Sequence, residues 1–175
     1  MKTNLAKLTI RKALPNDAND FTNCGISCWQ SAYKGIVPDQ FLSNMSAERE
    51  QRTKKHRIAI ANSNDCIYYC VMHNEKMVGI LVLNKNRNGN TPDIGEIWAI
   101  YLLEECRGKG HGKELLDFEI NELKSFGCKK IFLWVFEKNY RARRFYEKHG
   151  FGFTGKTREV DKYGKPLVQL EYELI

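Results

Sequence analysis

One short stretch limits what this chain can fold into more than any other. Arg107-Gly-Lys-Gly-His-Gly-Lys113 interleaves three alternate glycines with cations, between an apolar run ending near Leu103 and an amphipathic run beginning near Leu115. A strand that passes through glycines straight into a helix leaves the first backbone N–H groups of that helix free, at the positive end of its dipole. An anion is the natural occupant, and glycines let the backbone approach phosphate oxygens closely. Two common nucleotide loops with this placement do not match. Gly108-x-Gly110-x-Gly112 lacks the extra spacer of the dinucleotide fingerprint. The ATP-type loop has four residues between its outer glycines and a Ser or Thr after its lysine, whereas three residues separate Gly108 from Gly112 and Glu114 follows Lys113. The loop therefore predicts a phosphate-bearing ligand held without a metal.

The surrounding chain supplies both the strand and the helix. Gly95 to Leu103 reads as a strand, and Leu115, Leu116, Ile120, Leu123 and Phe126 trace one helical face that Gly127 closes. Upstream, Leu8-Thr-Ile-Arg11 alternates like an opening strand. Leu14-Pro-Asn-Asp17 then supplies a turn and a cap for a helix carrying Phe21, Cys24, Cys28 and Ala32. Lys34-Gly-Ile-Val-Pro38 breaks that helix, and a second runs from an N-cap at Ser46 to the turn at Asn62. Cys66–Met72 and Met77–Leu83 form a hairpin across His73-Asn-Glu-Lys76, and a polar loop, Asn84 to Asp93, follows. Ile131-Phe-Leu-Trp-Val-Phe136 is apolar on both faces, as a central strand covered by helices would be. A short helix over Tyr140–Lys148 and strands at Phe151–Thr154 and Val168–Leu174 complete the chain. The expected order is β-α-α-β-β-β-α-β-α-β-β, an α/β chain (α+β, mixed sheet) with helices on both faces.

At 175 residues and 42% hydrophobic, the chain fits one domain, 1–175, with a core of its own. Nothing in Met1–Lys7 has the apolar run of a leader and no stretch is apolar enough to span a bilayer, so a cytoplasmic protein with reduced thiols is expected. Cys24/Cys28 and Cys66/Cys70 lack partnering ligands, and His56, His73, His111 and His149 are scattered, so no metal is expected. The formal charge of +7 keeps a nucleic-acid-binding domain as a rival reading. That rival has no recognition motif and leaves the glycine–cation alternation unexplained, so neither a nucleic acid nor a membrane is the expected partner.

Arg107-x-x-Gly110-x-Gly112 resembles the pyrophosphate signature of the Gcn5-related N-acetyltransferase (GNAT) family. Glu137-Lys-Asn-Tyr-Arg-Ala-Arg-Arg-Phe-Tyr146, continuing to Phe151, looks like that family's second cofactor motif, and Trp29-Gln-Ser-Ala-Tyr-Lys-Gly-Ile-Val-Pro38 like a family opening. The likeness covers nearly the whole chain in element order. Glu104 and His111 depart from the commoner family residues, a proline and an apolar side chain, without removing a backbone contact.

The resemblance implies an enzyme that moves an acetyl group from acetyl-CoA to an amine of a small molecule or protein, with the amine attacking directly in a ternary complex. It places the backbone of Ile100, Tyr101 and Leu102 along the pantetheine. Arg107, Gly108, Lys109, Gly110, His111, Gly112 and Lys113 fall on the pyrophosphate, Asn139 and Tyr146 on the pantetheine arm, and one of Arg141, Arg143 and Arg144 on other phosphates, with Arg144 carried as the candidate. Tyr146 matches the position whose hydroxyl protonates the leaving thiolate, and a phenol of pKa about 10 suits a thiolate of similar basicity. Glu96 is the candidate base, acting directly or through water. In the strand Glu96, Trp98 and Ile100 are expected to share a face. Trp29 and Tyr33, four apart on one helix, form with Trp98 the expected acceptor wall. A catalytically silent acyl-CoA sensor is the further alternative. The identity of the amine is open, as is the oligomeric state; in relatives the last strands form dimer contacts, which allows a homodimer.

Overall fold

The computed structural model describes residues 8–87, 89 and 93–175. Residues 1–7, on which the expectation of no leader rests, and part of the polar loop before Asp93 lie outside these. Seven strands build one mixed sheet in the order β1-β2-β3-β4-β5-β7-β6. They are β1 (Thr9–Lys12), β2 (Cys66–His73), β3 (Lys76–Asn84), β4 (Ile94–Leu102), β5 (Lys130–Phe136), β6 (Phe151–Val160) and β7 (Leu167–Leu174). Only β4 and β5 run parallel, because the crossover helix α4 (His111–Ser125) joins them. The remaining helices are α1 (Ala18–Ala32), α2 (Asp39–Ala47), α3 (Arg49–Ala61) and α5 (Tyr140–Lys148).

Strand alternation sorts the core into two sides. Tyr69, Val71, Leu81 and Leu83 face α4 together with Leu115, Leu116 and Leu123. Cys70, Ile80 and Val82 face the opposite way, against Phe21, Cys24 and Cys28 of α1 and Ile60 of α3. A third cluster, with Val37, Leu42, Phe136, Tyr163 and Leu167, continues that second side towards β6. Helices therefore cover both faces, as expected. The β2–β3 hairpin turns at Asn74 and Glu75, both left-handed (φ 47° and 65°), the mirror-type turn that matches strand twist.

Four expectations are corrected. Three helices, not two, lie between β1 and β2: Pro38-Asp39 starts α2, and Ser46 lies inside it rather than capping a later helix. Asp17 stands before α1 but its carboxylate does not cap it. It accepts from Leu14 N at 2.7 Å and pairs with Arg11 at 2.7 Å. Strand β6 does not stop at Thr154; it resumes after an irregularity between Phe153 and Thr157, where Gly155 takes φ 87°, and runs to Val160. Finally, β4 is not regular. Val82 pairs with Ala99 and Leu83 with Ile97, so Trp98 is an extra residue and the alternation changes phase there. Ile100 consequently packs into the α4 side of the core, while Ala99 and Tyr101 face α1.

Candidate active site

The bulge at Trp98 opens the sheet. Strands β4 and β5 pair only from Ile94/Lys130 to Ile97/Leu133. Beyond that point β4 stays with β3 and β5 with β7, so the two strands part. Into the gap opens a cleft of about 1170 Å³, lined by Ile97–Leu102 on one bank and Trp134–Phe136 on the other. The edge of β4 past Ile97 has no strand partner on the β5 side, which leaves its outward backbone groups between Ile100 and Leu102 open to an extended ligand, apart from Leu102 O, which accepts from Arg107 Nε.

One end of the cleft is an anion site. Helix α4 has Gly110 at its N-cap with φ 85° and no side-chain cap, and Gly108 has φ 75°. None of the backbone N–H groups of residues 108–112 finds an acceptor among the described residues. Such free N–H groups at a fifteen-residue helix start fit a pyrophosphate. A Cβ on Gly112 would come within 3.3 Å of the Phe145 ring, so the bare glycine lets α4 lie close to α5. Gly108, Gly110, Gly112 and Lys113 line the cleft; the side chains of Lys109 and His111 do not, and His111 lies 3.7 Å from Glu114.

Two basic residues expected at the phosphates are placed differently from each other. Arg107 lines the cleft, with its guanidinium bonded within the chain. Its Nε donates to Leu102 O (2.9 Å) and its Nη2 to Ser31 Oγ (2.7 Å), fastening the loop to the end of α1. Arg144 is exposed and outside the cleft lining, because α5 turns Arg141 and Lys148 to that side instead. Asn139 caps α5, its Oδ1 accepting from Ala142 N at 3.2 Å, and its amide nitrogen is left for the cleft it lines.

Tyr146, on the α5 bank, makes ring contacts with Phe145 and Phe151, and its hydroxyl has no hydrogen bond among the described residues. Burial raises its pKa, and the neighbouring Tyr33 and Glu119 push the same way, so it is a phenol with its proton in place. On the far bank, Tyr33 and Tyr101 share a hydroxyl–hydroxyl bond of 2.9 Å, and burial lifts Tyr33 to about 12. Trp29 packs edge-on against Tyr33 and Tyr101 and tilted on Tyr163. Trp29 and Tyr33 are thus in ring contact at the cleft, and all three tryptophans of the chain, Trp29, Trp98 and Trp134, line it.

Glu96 lies on this side too. Desolvation raises its pKa, while Arg87 (3.5 Å) and the Trp98 side chain pull it back. It is thus a carboxylate with more affinity for a proton than an exposed glutamate. Sequence reasoning missed its neighbours. Arg87 also pairs with Glu171, which Thr154 (2.9 Å) and Lys156 (3.6 Å) hold as well. Arg158 stands with its guanidinium 4.2 Å from the Trp134 ring. The direct pairing of Trp134 with Glu171 and of Arg158 with Gln169 gathers this set, and it becomes visible only once strand register is known.

No helix among the described residues is long and apolar enough to cross a membrane. A model of the acetyltransferase (GNAT) family matches residues 29–151. An uncharacterized N-acetyltransferase of Bacillus subtilis, YuaI, is 26% identical over 132 residues, 75% of this chain and 73% of that protein. The spermine/spermidine N(1)-acetyltransferase of the same organism is 28% identical over 128 residues, 66% of this chain and 78% of that one. In fold, the PaiA N-acetyltransferase of Thermoplasma acidophilum, solved in complex with coenzyme A, is similar with a TM-score of 0.71 at 20% identity, over 94% of this chain and 98% of that one.

Proposed function

The chain belongs to the GNAT family of acetyl-CoA-dependent N-acetyltransferases, and from that premise we propose that it acetylates a primary amine by direct attack in a ternary complex, with Tyr146 as acid and Glu96 as base. The observation that carries this reading is the parted pair β4 and β5, with an unbonded phenol on one bank and a desolvated carboxylate on the other. Acetyl-CoA supplies a thioester whose C–S bond breaks as the N–C bond to the amine forms. Everything else falls to side chains and backbone of this chain.

The N–H groups of residues 108–112 hold the pyrophosphate, and Lys113, Arg141 and Lys148 surround it with positive charge. Backbone groups of Ile100, Tyr101 and Leu102 fix the pantetheine as an added strand, joined by the amide nitrogen of Asn139. Glu96 takes the proton that the ammonium must lose before its lone pair can attack, directly or across one water. Tyr146 gives its proton to the departing sulfur and takes one back from solvent. Trp29, Tyr33 and Trp98 wall the acceptor and keep water away from the reacting atoms.

Thiol release with a panel of amines tests this, alongside calorimetric binding of acetyl-CoA. Tyr146→Phe is expected to lower kcat by about a hundred- to ten-thousandfold with acetyl-CoA affinity retained. In Glu96→Gln the acidic limb of the kcat/KM profile should disappear. Acetyl-CoA binding without thiol release for any amine would mark an acyl-CoA sensor instead, and no binding at all would sink the reading.

A further inference from the structure

The cations of the cleft do not all lie at its anion-binding end. Lys113, Arg141 and Lys148 lie at the α4–α5 end, but Arg158 and Lys162 line the opposite end, where Glu96 and the tryptophans are. Arg158 is held rather than loose. Its Nε donates to Gln169 Oε1 at 2.8 Å and its plane rests on Trp134. No carboxylate lies within ion-pair distance of it among the described residues, although Glu96 and Glu171 attract its charge from further off, and its terminal nitrogens make no hydrogen bond among those residues. It is exposed at the rim of the cleft yet partly desolvated, a loss that Glu96 and Glu171 offset in part and that an anion bound directly to it would offset further.

The acids at this end are already committed. Glu171 serves Arg87, Thr154 and Lys156. Glu96 is the one carboxylate among the described cleft-lining residues. A polyamine, with several ammonium groups to neutralise, meets two cations here, Arg158 and Lys162, and a single acid. An amine that carries its own carboxylate meets the reverse: Glu96 for the ammonium, the forked guanidinium of Arg158 for the carboxylate, and Trp29, Trp98 and Trp134 for an apolar or aromatic body.

Resting on the transfer reading above, we propose that the acceptor is an α-amino acid with a large apolar or aromatic side chain, its carboxylate bound by Arg158 and its amine presented to Glu96. The spermine/spermidine enzyme to which the chain is similar is therefore a poor guide to its acceptor.

The test compares matched pairs in the full-length protein with saturating acetyl-CoA: phenylalanine against phenethylamine, tryptophan against tryptamine, methionine against 3-(methylthio)propylamine, with spermidine added. The acid should exceed its decarboxylated partner at least tenfold in kcat/KM in one pair or more, and exceed spermidine. Arg158→Gln should collapse that ratio towards one by raising KM for the acid, and Arg158→Lys should restore part of it. A ratio is insensitive to the fraction of protein that folds, so a merely structural arginine would leave it unmoved. The assignment is overturned if the decarboxylated amines or spermidine are preferred throughout, or if Arg158→Gln leaves the ratio intact. Absence of thiol release with every amine, while acetyl-CoA binds, overturns the transfer reading itself and the acceptor assignment with it.

Discussion

Among single residues, Glu119 is the one whose surroundings conflict most with its chemistry. It lies on the inner face of α4, fully buried, with neither carboxylate oxygen hydrogen-bonded among the described residues. Burial alone holds its pKa well above the usual carboxylate range, and Tyr69 and Tyr146 feel its charge. Because the folded pKa is raised, the unfolded chain releases this proton first, so stability falls as pH rises from the ordinary carboxylate range towards the folded value. The slope is at most about 1.4 kcal/mol per pH unit. Thermal midpoints measured from pH 5 to 8 should therefore decline more steeply in the native chain than in Glu119→Gln, which has no proton to lose. Its position was readable, since Glu119 falls between Leu115 and Leu123 at helical spacing. It escaped notice because a charged residue counts as solvent-facing by default. Arg107 was legible only in part: the motif located the loop, but motif spacing says nothing about Ser31, which lies 76 residues away in sequence and accepts from the guanidinium.

At the level of elements, the passage from β4 through glycines into α4 formed as the spacing implied, and its conformation makes a sharp demand. Gly110 at φ 85° costs a side-chain-bearing residue about 1–2 kcal/mol, which favours a shift of the loop out of its anion-binding conformation. Calorimetry of Gly110→Val should show acetyl-CoA affinity reduced tenfold or more, with far-UV circular dichroism unchanged; equal affinity would remove the loop from the binding site. Other elements were less legible, for reasons of register. Pro38-Asp39 is helix-start chemistry as much as helix-breaking chemistry, and choosing Ser46 as the cap hid α2. The Thr154-Gly155-Lys156 stretch reads as a turn, yet the bulge absorbs Gly155 and β6 continues to Val160, carrying Arg158 into the site. The extra residue at Trp98 leaves no local mark, because a bulge is a property of two paired strands and neither strand alone encodes it.

Across the whole molecule, the site is a seam rather than a pocket hung on a finished sheet. Strands β1 to β4 and strands β5 to β7 meet along four residue pairs, and past Ile97 and Leu133 nothing in the backbone joins them. A ligand lying along the free edge of β4 therefore replaces part of a missing ladder. Binding to the folded state alone adds about 2.7 kcal/mol at a hundredfold excess over Kd, a rise on the order of 5–10 °C in thermal midpoint for a chain of this size. Differential scanning with graded acetyl-CoA should show that rise, and Gly110→Val should blunt it; a midpoint indifferent to acetyl-CoA would contradict the geometry. One further consequence concerns turnover of the protein rather than of its substrate. A ligand that binds the folded chain alone lowers the unfolded fraction that a protease can cut, so the lifetime of the chain should lengthen with the supply of acetyl-CoA.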